Sequence, residues 1–247
     1  MRVSLFPLSN LPEICDGDDL ATLLWDAAAR DGLALTDGIL VVCQKIVSKA
    51  EGRVVRWTAM EPSAAANALA VQTDKDARFV EVVLRESRRV VRSAPGVLIC
   101  ETHHGFVCAN AGVDQSNAPG PEYAVLLPRD PDSSAEKLRA ALCERGAGPL
   151  GIVISDSFGR PWREGQVDVA LGCAGFAPLR DQRGQLDRAG RPLAVTAPAT
   201  ADQLAAAAGL LMDKAAGVPA VWIAGLKPSG TGPLRSLLRD PAHDLFR

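Results

Sequence analysis

The sequence is poor in aromatic residues, which make up 4% of the chain, and its charges nearly balance, with a formal net charge of −2. A nucleic-acid-binding protein needs a basic face, and proteins that bind single strands add aromatic side chains on which bases stack. Apolar runs are short as well. The longest alanine-rich stretch is interrupted at Pro198 and Asp202, and none approaches the ~20 residues of a membrane-spanning helix. We therefore expect neither nucleic acid nor a membrane as a partner.

Cysteine pairs of the C-x-x-C type are also missing. Cys43 and Cys100 end apolar runs, which is where buried free thiols usually lie. Met1 is not followed by the apolar segment of a secretory signal. These features predict a reduced, cytoplasmic protein and imply neither zinc nor disulfides. The cysteines are Cys15, Cys43, Cys100, Cys108, Cys143 and Cys173.

Internal repeats, low-complexity linkers and a clear domain boundary are absent from the 247 residues, of which 47% are hydrophobic. This composition is enough for one large domain or for two intertwined lobes. We expect a single domain that spans residues 1–247.

Hydrophobic periodicity predicts alternating helices and strands. Helices are expected at 19–30, 62–71, 77–87, 133–145 and 202–214, the fourth starting at a capping box formed by Ser133 and Glu136. Strands are expected at 3–6, 39–43, 88–92, 97–100, 106–109, 152–154 and 220–223. His103 and His104 fall in a predicted hairpin turn. Because adjacent residues of an extended chain point to opposite faces, a polar turn is favoured there over a metal site.

The stretch Ile152–Gly172 carries the strongest signal for a functional site. Its apolar strand is followed by Asp156 and Ser157, whose hard oxygen ligands suit Mg²⁺ or Mn²⁺. Arg160 and Arg163 follow directly after that pair, in what we predict to be a short loop. Guanidinium groups bind phosphates and carboxylates in bidentate fashion. The alternative is a surface cluster in which both arginines pair with nearby carboxylates to close a tight loop.

Polar residues also follow the strand that ends at Cys43. Lys45 and Lys49 are four residues apart, so a helical turn would place both ammonium groups on one side. The alternative is a pair of solvated surface lysines.

Two further segments leave alternatives open. Asn110–Asn117 is rich in side-chain oxygen and is either an Asx turn that satisfies its own backbone or a second source of metal and nucleotide ligands. Gly225–Gly232 is either a nest of backbone N–H groups for phosphate or a plain flexible loop. Gly146–Gly151 matches G-x-G-x-x-G but precedes a strand, so it does not indicate a dinucleotide site.

Four blocks in this order resemble a known family. ISDSFGRPWREGQVDVALG, with DGILVVCQKIVSKAEGR, CANAGVDQSN and LPRDPDSSA, closely resembles the coenzyme F420-0:γ-glutamyl ligases, and the similarity covers nearly the whole chain. The resemblance implies an α+β fold with a mixed sheet, an intertwined homodimer, and sites near the subunit junction. It also implies the stand-alone form, without the C-terminal flavin-binding domain of some relatives.

The reaction that the resemblance implies is GTP-dependent. GTP phosphorylates the terminal carboxylate of F420-0, and the amine of L-glutamate attacks the acyl phosphate, with release of GDP and phosphate. Two divalent ions, Mg²⁺ or Mn²⁺, and K⁺ are the implied metals. The alternatives are a non-catalytic protein that binds F420 or nucleotide, and an amide ligase for a different carboxylate acceptor.

The resemblance also implies which residues lie at the metal and at the nucleotide. Those expected at the metal are Asp114, Asp156 and Ser157. Those expected at the guanine nucleotide are Leu11, Pro12, Glu13, Ile14, Gln44, Lys49 and Asn117, where Gln44 stands in the place of a serine found in some members. Asp156 and Lys49 are also expected to act in catalysis. We add Arg160 and Arg163 to them from position and not from the resemblance, because a short loop directly after Asp156 and Ser157 would hold their guanidinium groups within several ångströms of the acyl phosphate. There at least one of them would bind the phosphodiester or carboxylate of F420-0, or the carboxylates of the incoming glutamate.

Overall fold

The computed structural model describes residues 2–212, 215 and 217–244. Its helices are α1 (Leu20–Arg30), α2 (Gln44–Ala50), α3 (Ala64–Thr73), α4 (Ala77–Arg85), α5 (Pro131–Glu144) and α6 (Thr200–Gly209). Its strands are β1 (Ser4–Leu8), β2 (Gly38–Cys43), β3 (Val54–Arg56), β4 (Ser87–Ala94), β5 (Val97–Thr102), β6 (Val107–Ala109), β7 (Tyr123–Val125), β8 (Leu150–Arg160), β9 (Arg163–Ala174) and β10 (Ala220–Ala224). None of the helices within these residues has both the length and the apolar character needed to span a membrane.

A five-stranded mixed sheet in the order β1-β10-β2-β8-β9 forms the larger lobe. Only β2 and β8 run parallel, and the other neighbours are antiparallel. In β2, Leu40 and Val42 face the apolar core beneath α1 and α5, whereas Ile39 and Val41 face the core beneath α6. A central strand covered on both faces must be apolar at every position, and this explains the uninterrupted run of the sequence. The α+β class with a mixed sheet is thus confirmed.

The smaller lobe is formed by the chain between α2 and α5. The antiparallel sheet β4-β5-β6 packs with α3 and α4 around a separate core that includes Val80, Val83 and Leu98. The two-stranded sheet β3-β7 lies between this lobe and α2. The predicted hairpin of β5 and β6 is confirmed, and the rings of His103 and His104 hydrogen-bond to backbone carbonyl oxygens, as a polar turn requires.

The predicted loop after Ile154 is wrong. β8 continues to Arg160, the chain turns at Pro161 and Trp162, and β9 begins at Arg163. Polar composition favours a loop, but here the polar segments pair as strands. Phe158 still packs against the core beneath α6, and beyond it the hairpin is exposed, so residues 159–166 need no apolar side chains. Arg160 is therefore three extended residues from Ser157, or roughly 10 Å, and is not folded back within a compact loop.

Several helix ends also differ from the prediction, and two of the differences have an identifiable cause. The side chain of Asp130 caps α5 by accepting a hydrogen bond from the backbone N–H of Ser133, and Pro131 occupies the first turn, so the helix begins before the predicted capping box. Helix α6 ends at Gly209, because glycine is a poor helix former, and not at 214. Residue 214 lies outside the described residues.

Candidate active site

A pocket of about 850 Å³ opens where the parallel strands β2 and β8 end. Its volume is within the range of small-molecule sites, and carboxyl ends of neighbouring parallel strands commonly present ligand-binding groups. Six parts of the chain line it: residues 11–16, Cys43 with helix α2, Gly52 with Val54, residues 117–119, the base of the β8–β9 hairpin, and Met212 with residues 217–219. The predicted nucleotide residues Leu11, Pro12, Glu13, Ile14, Lys49 and Asn117 are among the lining residues.

Both lysines of α2 face this pocket, which confirms that they share one side of the helix. They are nearly buried, with 5% of Lys45 and 6% of Lys49 exposed, so they are not solvated surface lysines. The ammonium group of Lys45 lies 2.8 Å from Asp114 Oδ2 and donates a hydrogen bond of 2.9 Å to the carbonyl oxygen of Ser116. The ammonium group of Lys49 pairs with the carboxylate of Glu13.

Asp114 contacts the ammonium group of Lys45 but is not among the residues that line the pocket. Its Oδ1 accepts the backbone N–H of Ser116 at 2.8 Å, and its Oδ2 accepts the hydroxyl of Ser116 at 3.0 Å. The Asx turn predicted for this segment is therefore present. Just before it, Asn110 and Ala111 have φ angles of 51° and 52°. Left-handed backbone is costly for alanine, and it redirects the chain from β6 towards Asp114.

The base of the hairpin presents oxygen donors from both strands. Ser157 and Asp168 are direct cross-strand partners, and the hydroxyl of Ser157 donates a hydrogen bond of 2.5 Å to Asp168 Oδ1. Asp156, Ser157 and Asp168 all line the pocket. Asp168 is a site residue that was not predicted from the sequence. A two-residue turn at Pro161 and Trp162 would have predicted the pairing, but only if the hairpin itself had been recognised.

Helix α6 packs tightly against this carboxylate. At Gly209, an added Cβ would lie 2.7 Å from Asp168 Oδ2, so the position requires glycine as long as Asp168 keeps its place. The end of α6 thus lies against Oδ2 of this carboxylate, while the hydroxyl of Ser157 bonds to Oδ1.

The pKa of the Cys43 thiol is affected by burial and by the negative charges of this region. Burial, with a smaller contribution from the charges of Asp156 and Asp168, raises the pKa of Cys43 to about 11. The thiol is therefore protonated near neutral pH, and it is not an activated nucleophile although it lines the pocket.

The donor set at the hairpin base suits a hard divalent cation. Asp156, Ser157 and Asp168 offer only oxygen, and Mg²⁺ or Mn²⁺ commonly bind one or two carboxylates while phosphates and water complete the coordination. Within the described residues there is no group of three or more His, Cys, Asp or Glu side chains placed to hold a metal by themselves. The residues fit a cation that shares its ligands with a bound phosphate.

Gln44 is fully buried at the start of α2 and does not line the pocket. Its Oε1 accepts a hydrogen bond of 2.9 Å from the hydroxyl of Ser48, whereas its Nε2 has no hydrogen-bond partner among the described residues. A buried amide N–H without a partner is costly.

The remaining predicted residues lie farther from the pocket. Arg160 and Arg163 are exposed at the tip of the hairpin, outside the pocket lining, and Arg160 donates a hydrogen bond of 3.2 Å to the carbonyl oxygen of Glu164. Trp162, between them, is 79% exposed with a φ angle of 58°. The Gly225–Gly232 segment is also outside the pocket lining.

Comparison with known proteins places this architecture in one family. Residues 9–225 match the family described as F420-0:Gamma-glutamyl ligase. The chain is 45% identical over 253 residues to the coenzyme F420:L-glutamate ligase of Methanothermobacter thermautotrophicus, with 100% of both chains covered. It is 44% identical to the same-named protein of Methanopyrus kandleri, covering 100% of this chain and 98% of that protein. Identity to the Archaeoglobus fulgidus protein is 41%, over 100% and 97% of the two chains. The chain belongs to the F420-0:gamma-glutamyl ligase family.

Proposed function

We propose that this protein is a GTP-dependent ligase that joins L-glutamate in amide linkage to coenzyme F420-0, with release of GDP and phosphate. The names of the relatives support the glutamate-ligase part of this proposal. One observation supports the nucleotide-dependent part: a single pocket combines two lysines of α2 with the oxygen donors of Asp156, Ser157 and Asp168. Ammonium groups suit phosphates, and hard oxygen donors suit the divalent ion that accompanies them.

The proposed chemistry answers a specific difficulty. A carboxylate is a poor electrophile because its negative charge repels nucleophiles. In the first step a carboxylate oxygen of F420-0 bonds to the γ-phosphorus of GTP, and the bond to the β-phosphate oxygen breaks to release GDP. In the second step the glutamate amine bonds to the acyl carbon, phosphate leaves, and the amine loses a proton.

We assign the nucleotide to the side of the pocket formed by α2 and the segment Leu11–Ile14. Lys49 is placed at the phosphates, where it would exchange Glu13 for phosphate oxygens. Asn117, with a φ angle of 58°, lines the same side. Gln44 is fully buried outside the pocket lining, so the amide contact proposed in place of the serine of some relatives requires its side chain to turn towards the pocket when the nucleotide binds.

We assign the divalent ion, Mg²⁺ or Mn²⁺, to Asp156 and Ser157, add Asp168 as a further oxygen donor, and place a second ion at Asp114. A bound ion offsets the repulsion among the phosphate oxygens and the acceptor carboxylate. Asp168 accepts the hydrogen bond of the Ser157 hydroxyl, which leaves the lone pairs of that hydroxyl oxygen available to a cation. The proposal includes a requirement for K⁺, which replacement by Na⁺ tests.

We propose that Arg160 or Arg163 binds an anionic group of F420-0 or of glutamate. Both are exposed at the tip of the hairpin, so they suit a part of the substrate remote from the reacting carboxylate. Replacing either by lysine loses the bidentate fork and is expected to lower kcat/KM for that substrate roughly tenfold. Arg188→Lys, an exposed arginine of another segment, is the control. A lower melting temperature with unchanged KM values would assign both arginines to the shape of the turn instead.

We also infer a cytoplasmic homodimer. All six cysteines are free thiols in the described structure, in keeping with a reducing compartment. Light scattering of the purified protein tests the dimer, and a monomeric mass with full activity would exclude it as a requirement.

The function is tested by varying the nucleotide and the metal-site carboxylate. With F420-0 and glutamate, GTP should support product formation and ATP should not. Asp156→Asn keeps the shape of the side chain but removes its charge, so it should abolish turnover without lowering the melting temperature, whereas Asp26→Asn on the exposed side of α1 should be silent. Release of phosphate without glutamylated product would favour a different acceptor, and no phosphate release would favour a binding protein.

A further inference from the structure

The ammonium group of Lys45 is the most completely satisfied cation around the pocket. It contacts Asp114 Oδ2 at 2.8 Å and the carbonyl oxygen of Ser116 at 2.9 Å, and it also bonds to the hydroxyl of Ser116. These three oxygens match the three N–H donors of an ammonium group. Lys45 therefore occupies an oxygen-lined cation position beside Asp114.

Both carboxylate oxygens of Asp114 already accept hydrogen bonds. Oδ1 of Asp114 accepts the N–H of Ser116, while Oδ2 accepts both the hydroxyl of Ser116 and the ammonium group of Lys45. A divalent ion that reached this carboxylate would stand within a few ångströms of a full positive charge. In a mostly buried site, where screening by water is weak, two cations at that separation repel each other strongly.

Lys45 has an alternative position for its charge. It lines the nucleotide side of the pocket together with Lys49, one turn along α2. The four-carbon stem of lysine can move its ammonium group while the helix stays in place. A triphosphate in the pocket would offer several negative oxygens to that group.

We propose that Lys45 is an exchangeable counter-ion of this site. In the nucleotide-free protein it neutralises Asp114. When the nucleotide and its divalent ion bind, Lys45 releases Asp114 and pairs with phosphate oxygen. This inference rests on the proposed use of a guanine nucleotide with a divalent ion, and it adds Lys45 to the phosphate-binding residues. It also requires Lys45 to oppose metal binding before the nucleotide arrives and to favour nucleotide binding afterwards.

The test is the substitution Lys45→Met, which keeps the length of the side chain and removes its charge. Binding of Mn²⁺ to the full chain without nucleotide, followed by electron paramagnetic resonance, should become about five- to tenfold tighter, because Asp114 loses its competing cation. Binding of GDP with Mg²⁺, measured by calorimetry, should weaken about tenfold, because a charged hydrogen bond to phosphate is lost. Binding of guanosine, which has no phosphate, should not change.

Matched variants complete the experiment. Lys137→Met, an exposed lysine of α5, should leave all three affinities unchanged. Lys45→Arg retains the charge and should keep Mn²⁺ and GDP affinities within about threefold of the original protein, and it serves as the second variant if Lys45→Met fails to fold. In that case, the proposal is overturned if Lys45→Arg binds Mn²⁺ more than about threefold more tightly than the original protein.

Unchanged or weaker Mn²⁺ binding in Lys45→Met overturns the exchange, and so does unchanged GDP binding. These readouts do not depend on turnover. If the ligase assay fails while Mn²⁺ binding tightens and GDP binding weakens, the counter-ion role stands and the proposed reaction falls.

Discussion

Replacing Gly209 by alanine separates the stability of the fold from the chemistry of the pocket. The added Cβ would lie 2.7 Å from Asp168 Oδ2 and 3.0 Å from its Cγ. Real Cβ atoms do not approach so closely, so the carboxylate must move. Gly209 is the last residue of α6 and has no positive φ angle, so alanine itself fits the backbone.

The two effects of this substitution have opposite signs. Alanine in place of a helical glycine stabilises by up to ~1 kcal/mol, and less at the end of a helix. The clash is relieved at the cost of the hydrogen bond between Ser157 and Asp168, which, as a bond to a charged group, is worth about 1.5–3 kcal/mol. If that geometry is needed in the transition state, kcat/KM should fall roughly ten- to a hundredfold, while the melting temperature stays within a few degrees of its original value.

Steady-state kinetics with GTP, F420-0 and glutamate, together with thermal unfolding, measure both effects. Asp168→Asn and the double variant complete a mutant cycle. In the background of the Asp168→Asn substitution the extra methyl group should cost little more, because both changes act on one interaction. Full activity of a stable Gly209→Ala protein would refute the role of Asp168. If the losses of kcat/KM in the two single variants add up in the double variant, the end of α6 affects activity independently of Asp168.

Two further predictions concern the smaller lobe and the nucleotide side. Hydrogen bonds from Ser63 and from Arg85 lower the pKa of Glu81 to about 2. The ionised carboxylate therefore stabilises the fold fully at pH values above its unfolded pKa near 4.5. This contribution is lost as the pH falls towards about 2. Glu81→Gln should therefore cost about 1.5–3 kcal/mol near pH 7 and much less near pH 3 by urea unfolding; an equal cost at both pH values would contradict this. Lys49→Ala should raise the KM for GTP more than the KM for glutamate. Stability should change little, because the side chain of its partner Glu13 is 72% exposed. If only the KM for F420-0 rises, Lys49 does not bind the nucleotide.

The parts of the fold that periodicity specifies strongly were predictable. β2 is apolar at every buried position, so both its burial and the polar groups that follow it could be inferred from the sequence. The spacing of Lys45 and Lys49 then determined that both face one side. These features depend only on residues that are close together in the sequence, so they could be predicted from it.

The sequence did not predict features that depend on contacts between distant residues. Ser157 meets Asp168 only because two polar segments pair as strands, and polar composition alone favours a loop. The contact of Gly209 with that carboxylate joins α6 to β9 and has no local signature. The start of α5 was misplaced because two capping signals overlap, and Asp130 with Pro131 prevails over the capping box three residues later.

The central claim is that GTP activates the acceptor carboxylate as an acyl phosphate, and the transfer of an oxygen isotope tests this most directly. F420-0 labelled with ¹⁸O in its terminal carboxylate is incubated with the protein, GTP, Mn²⁺ and L-glutamate, and the products are analysed by mass spectrometry. We predict a glutamylated product, an equal amount of GDP, and phosphate that carries one ¹⁸O atom from the carboxylate. Glutamylated product accompanied by unlabelled phosphate, or formed without GTP, would contradict the account.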